Sequence, residues 1–164
     1  MKQDQPNVNT EARAEGAAPN ACFGCGDANA GGMHLHMECD EATRRVRGTL
    51  RLGPRYQGAP GMIHGGIIAV LLDEALGKVC RFYDVRAVTA ELTVEYLRPI
   101  KVDQEIHIEA FQVERKARNL LHEGEIRDAE GRVLARGRGR FVVVDPEKYR
   151  RVAGIESPAP PGRV

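Results

Sequence analysis

Residues 61–77 read GMIHGGIIAVLLDEALG, and the rest of the chain is arranged around them. A histidine and two glycines lead into a segment that is apolar on nearly every side except at Asp73 and Glu74. A helix of that kind is normally buried in a core rather than laid on a surface. Carboxylates in its middle lose their hydration and are costly unless satisfied, so Asp73 and Glu74 are the first candidates for chemistry. The pattern predicts a helix over about 64–81.

On the N-terminal side, residues 33–39 (MHLHMEC) and 43–52 (TRRVRGTLRL) read as two strands, followed by the Gly/Pro-rich loop GPRYQGAPG at 53–61. Beyond the helix, residues 87–97 alternate, with Val88, Ala90, Leu92, Val94 and Tyr96 set against Thr89, Glu91, Thr93 and Glu95. Arg98-Pro99 ends that run, since proline cannot continue a ladder. Residues 104–114 and 119–128 form the next pair, joined by the basic turn 115–118, and Glu130-Gly131 leads into 132–144. In that last run Arg136, Arg138 and Arg140 face one way, while Ala135, Gly137, Gly139, Phe141 and Val143 face the other. Two strands, one long helix and four strands give an α+β fold. A small sheet covers such a helix only by bending round it.

The 164 residues fit one domain, and 24 basic against 23 acidic residues give no reason to expect nucleic acid or an anionic membrane as partner. The arginine row at 136–140 marks the wet face of a strand. No apolar run reaches the ~18 residues that span a bilayer. Residues 1–20 carry no hydrophobic period and no secretory signal, and are expected to be a disordered tail; 146–164, ending in a Pro-rich stretch, are a second tail around a domain at 21–145. Four cysteines without a signal point to a reducing compartment, and the default location is the cytoplasm.

Cys22 and Cys25 in CFGCGDANAGG have the spacing of a zinc knuckle or a redox pair. Further ligands would come from His34, His36 and Cys39, with the two histidines on one strand face. The plainer reading takes the cysteines as small hydrophobes in a glycine-rich lead-in, and assigns no metal and no cofactor.

His64-Gly65-Gly66, an acid nine residues after the histidine at Asp73, and Tyr96-Leu97-Arg98-Pro99 at a strand end resemble the hotdog-fold acyl-CoA thioesterases, in particular the phenylacetate-pathway (PaaI-type) group. The CFGCG…GGMHL opening adds to the likeness, which spans about 21–144. It implies a curved antiparallel sheet of about six strands wrapped around one central helix. It also implies hydrolysis of aryl- or medium-chain acyl-CoA by a homo-oligomer, a dimer or a tetramer.

Physical chemistry runs the same way. Amides at a helix N-terminus have no partner inside the helix, and the dipole there favours negative charge. Gly65 and Gly66, without Cβ atoms, let a thioester carbonyl approach an oxyanion hole. The resemblance assigns that role chiefly to the Gly65 amide, with His64 supporting the loop. Eight residues of helix separate Gly65 from Asp73 by about 12 Å, too far for both to touch one scissile carbon. A shared site therefore needs helices from two subunits. Asp73 would act as general base or as nucleophile; Glu74 points about 100° away around the helix.

Thr89 falls where a relative in the family has a hydroxyl that places the water. Where many relatives have Asn or Gln six residues before the histidine, this chain has Gly58, with Gln57 beside it. Arg98, Lys116 and Arg118 are candidates for the CoA phosphates. Two other readings are a non-catalytic acyl-CoA-binding module on the same fold and a zinc-binding interaction domain. A hotdog dehydratase would need an Asp-His pair on one loop, which the chain lacks.

Overall fold

The computed structural model describes residues 19–154. Its sheet has six antiparallel strands in the order β1-β2-β4-β5-β6-β3. These are β1 (Glu38–Asp40), β2 (Arg45–Arg51), β3 (Ala87–Tyr96), β4 (Glu105–Lys116), β5 (Asn119–Asp128) and β6 (Val133–Val143). The helix α1 (Gly65–Lys78) packs on the concave face, and a second helix, α2 (Pro146–Ala153), follows β6. The fold is the α+β hotdog arrangement.

Sheet and helix meet through residues with the periods expected of each. Ile68, Leu71, Leu72, Ala75 and Leu76 line one side of α1 and are buried. Opposite them lie Ile106, Ile108 and Ala110 of β4, Leu120 and Ile126 of β5, and Ala135 and Phe141 of β6. Gly137 and Gly139 let the helix come close, since a Cβ on Gly137 would stand 3.1 Å from Leu72 Cδ2 and one on Gly139 would stand 3.3 Å from Leu76 Cδ1. On the outer face the arginine row is paired across strands: Arg136 with Glu95 and Glu125, Arg138 with Glu123, and Arg140 with Glu91.

Several sequence expectations shift. Residues 33–37 are not a strand, because Met33 N–H and Leu35 N–H donate to the carbonyls of Phe23 and Gly24 in the N-terminal loop. His34 adopts a left-handed φ of 51°, so it and His36 do not alternate on a strand face as expected. The predicted helix stops at Lys78 and tightens into a 3-10 turn, Val79–Tyr83. A single sheet covers only one side of α1, so Ile67, Ala69, Val70, Asp73 and Glu74 are half-buried rather than enclosed. In β3 the alternation breaks at a bulge between Thr89 and Glu91. The bulge leaves Ala90 unpaired and puts Thr89 on the helix side along with Leu92 and Val94.

Part of the expected C-terminal tail is helical. Asp145 caps α2 by accepting from the amides of Glu147 and Lys148, Pro146 starts it, and Gly154 ends it at φ 65°. The expectations for 1–18 and 155–164 lie outside the described residues.

His122 of β5 is fully buried beneath α1. Its Nδ1–H donates to the Leu76 carbonyl at 2.7 Å, its ring stacks on Phe141 at 4.9 Å, and Nε2 is buried without a partner. Burial holds the imidazole below its ordinary value near 6.5, against the opposing pull of the Leu76 carbonyl. The folded state thus favours neutral His122, and its contribution is complete above the ordinary value and lost as the pH falls below it. The thermal midpoint is expected to drop between about pH 7 and pH 5. His122→Leu should flatten that slope relative to wild type, measured as the difference between the two proteins at each pH.

Candidate functional site

The start of α1 is built by the loop before it. His64 sits at the N-cap with extended backbone (φ −63°, ψ 135°), and its Nδ1 accepts from Gly66 N–H at 2.9 Å. The His64 carbonyl accepts from Ile67 and Ile68, and the His64 amide donates to the Tyr56 carbonyl at 2.9 Å. With those amides taken, the Gly65 N–H is left without an acceptor among the described residues, at the positive end of the helix. Tyr96 Oη donates to the Gly65 carbonyl at 3.0 Å and holds that first peptide against β3. Tyr96 entered the sequence reading in the β3 alternation and in the YLRP strand end; it keeps the parity of Leu92 and Val94, beyond the bulge.

Gly58 has a structural reason to depart from Asn or Gln. A Cβ there would stand 2.9 Å from His64 Cα, inside any normal contact. Neighbouring Gln57 turns its Oε1 to the Gly61 amide at 2.8 Å and closes the loop rather than facing the helix start. Neither residue supplies a free polar group beside Gly65.

Two turns further along α1, Thr89 Oγ1–H donates to Asp73 Oδ1 at 2.8 Å. The hydroxyl orients the carboxylate and leaves Oδ2 free to accept. Asp73 and Gly65 lie on one helix about 12 Å apart, so no small group reaches both within one chain.

Glu74 turns the other way, to the N-terminal loop. Cys22 Sγ–H donates to Glu74 Oε1 at 3.3 Å, and Cys25 lies beside the same carboxylate. Burial and the adjoining Glu74 carboxylate push the Cys25 thiol up to about 12, the reverse of what a reactive thiolate needs. Of the ligands considered from the sequence, His34, His36 and Cys39 do not join this cluster. Glu74 does, and its position one turn from a buried helix face was the signal available.

The basic candidates do not converge. Arg98 Nη1 donates to the Val133 carbonyl at 2.6 Å, and Lys116 pairs with Glu114. Arg98 N–H bonds to Leu134 and Val143 N–H to Arg118, so the two arginines lie nine residues apart along β6, which is about 30 Å. A hollow of about 470 Å³ borders Arg98, Lys101, Arg132 and Leu134, away from both Gly65 and Asp73.

Residues 60–135 match a family model described as the thioesterase superfamily. The chain is similar to the acyl-coenzyme A thioesterase THEM4 of Rattus norvegicus, with 27% identity over 118 residues, 71% of this chain and 51% of that protein. The chain thus spans about half the length of the curated relatives it matches. A crystal structure of a thioesterase superfamily protein is 35% identical with TM-score 0.59, covering 62% of this chain and 50% of that one. The E. coli PaaI protein from the phenylacetic acid degradation operon shares the fold at 20% identity and TM-score 0.59, covering 62% and 74%. That likeness is one of fold.

Since Gly58 exists to admit His64, Gly58→Ala and His64→Ala should act on the same cap. Each is expected to cost about 0.5–2 kcal/mol. In chemical unfolding the double variant should lose no more than the larger single loss, with the non-additivity giving the coupling.

Proposed function

We propose that the protein is a homo-oligomeric acyl-CoA thioesterase whose site pairs the Gly65 amide of one subunit with Asp73 of another. The observation that carries this reading is the unpartnered Gly65 amide at the capped start of the helix that also bears the Thr89-bound Asp73. Separation along one helix requires a second, antiparallel helix to bring the two together.

The free edge of the sheet supports such an assembly. One edge strand, β1, has three residues, whereas β3 at the other edge has ten. Long, unprotected edges with exposed apolar side chains pair with further strands. Val88 (39%), Tyr96 (53%) and Leu97 (38%) are exposed there, next to the half-buried Ile67 and Val70 of α1. Joining two β3 edges about a two-fold axis sets the open sides of two α1 helices face to face. Dimers or tetramers built on that pair would each hold two equivalent sites per pair.

In the site, the thioester carbonyl oxygen accepts from the Gly65 N–H, which gains strength as charge develops on it. Thr89 fixes Oδ1 of Asp73. Oδ2 either takes the proton of the attacking water or attacks the carbonyl carbon to give an anhydride that water then opens. The C–S bond breaks, and the CoA sulfur leaves with its electron pair and is protonated. Gly66 adds open space at the approach. The half-open apolar side of α1, with Ile67 and Val70, suits an aryl or medium-length acyl group. Arg98 of one chain and Lys116 or Arg118 of another are the phosphate contacts, since one chain holds them about 30 Å apart. The hotdog domain covers 21–145, and the reaction is placed in the cytoplasm.

CoA release from aryl- and C4–C16 acyl-CoAs tests this reading. Asp73→Ala should fall by two or more orders of magnitude. Gly65→Pro removes the N–H and sets a ring where the carbonyl oxygen would approach, at a position where proline suits the helix and His64 already has the extended backbone a following proline requires. It should remain folded and lose about 10²–10³ in kcat. Cleavage unchanged in both variants would refute the site. Binding of acyl-CoA without any cleavage by wild type would favour a non-catalytic module.

A further inference from the structure

The proposed catalysis leaves one cluster unused. Cys22, Cys25 and Glu74 bring one ligand atom each to within 4.8 Å of one another. The loop that carries the thiols is built to hold them there. Gly26 N–H closes the turn on the Cys22 carbonyl at 3.0 Å. Asn20 braces both sides, its Oδ1 accepting from the Cys22 amide at 3.1 Å and its Nδ2 donating to the Cys25 carbonyl at 3.3 Å. Behind it, the Gly24 carbonyl accepts from Leu35 N–H at 2.8 Å, which pins the loop to the buried Met33–Met37 segment.

Gly24, the second residue between the cysteines, is the telling position. A Cβ there would overlap the Glu74 carboxylate where it now stands, so glycine leaves the acid on α1 room beside the thiols. Gly26 is under the same constraint from the opposite side, where a Cβ would collide with the Asn20 carbonyl and the Cys22 backbone. The turn, the missing Cβ and the helix thus deliver two sulfurs and one carboxylate oxygen to a single point.

We infer that Cys22, Cys25 and Glu74 form a zinc site that ties the N-terminal loop to α1 one residue from Asp73. Zinc–sulfur bonds of about 2.3 Å and zinc–oxygen bonds near 2.1 Å set tetrahedral S···S and S···O separations of about 3.8 and 3.6 Å. Cys22 Sγ and Glu74 Oε1 already stand at 3.3 Å, so the ligands need move only slightly. Binding releases the thiol protons and converts the Cys22–Glu74 hydrogen bond into two bonds to one cation. Thiolates select zinc over the hard cations that carboxylates alone would take. Three protein ligands leave the fourth position to water on the exposed Cys22 side. The site's role is to position: it fixes α1 about 100° around from the side that Thr89 holds.

The full chain, purified under reducing conditions, provides the test. Elemental analysis should find stoichiometric zinc that a chelator removes. Cobalt(II) added to the apoprotein should give a thiolate-to-metal charge-transfer band. Cys25→Ser and Glu74→Gln should each weaken zinc by at least about 100-fold in competition with a chromophoric chelator, since even outer partners of a metal cost 10–100-fold. Glu74→Gln keeps the side chain's size and stays folded if a cysteine variant does not. Cys39→Ala should bind as wild type does. Absence of zinc and of any cobalt band in the reduced protein would overturn the site. So would wild-type affinity in Glu74→Gln, or a Cys22–Cys25 disulfide in freshly isolated protein. None of these readouts involves thioester cleavage, so the zinc site and the proposed catalysis fail separately.

Discussion

A sheet of six strands closes round only one side of α1, and that incomplete burial governs the rest of the structure. The covered side (Ile68, Leu71, Leu72, Ala75 and Leu76) supplies the core. The uncovered side is still largely apolar, and a monomer cannot hide it. Evolution of such a surface toward a partner and toward a ligand follows from the same shortage of cover. Asp73 lies on that side, held by Thr89, while Glu74 is rotated away toward the N-terminal loop. Adjacent carboxylates thus acquire different surroundings because consecutive helical residues diverge by about 100°.

Glycine is used for proximity in three places. Gly137 and Gly139 admit the helix to the sheet, Gly58 admits His64 to its cap, and Gly24 admits Glu74 to the cysteines. In each case the neighbour occupies the space a Cβ would need. Together they set where α1 lies, how it begins and what meets it halfway along.

Most of this was legible in the sequence because it rests on local rules. The helix was visible in its apolar run, and β3 to β6 in their alternation and turn chemistry. The misreadings have tertiary causes. Residues 33–37 alternate like a strand, yet their amides are taken by the Phe23–Gly24 loop, which no local pattern announces. Strict alternation puts Thr89 opposite Leu92 and Val94; the bulge at Ala90 reverses its face. His122 sits on the buried parity of β5 with Leu120 and Ile126, so its burial was readable, but its bond to Leu76 was not. The helix after Asp145 was missed although its cap, its proline and its terminal glycine all lie in the sequence. Glu74 was read only as pointing away from Asp73, because the loop that supplies Cys22 is remote in sequence.

The claim with most consequence is that Gly65 and Asp73 act together from different subunits. Co-expression of Gly65→Pro and Asp73→Asn chains under two affinity tags allows the mixed dimer to be isolated and assayed for CoA release. If the site spans two subunits, one of its two sites carries both lesions and the other carries neither. The mixed dimer should then recover about half of wild-type activity from two inactive parents. A mixed dimer as inactive as its parents would place both groups in a site within one chain and contradict the shared-site geometry.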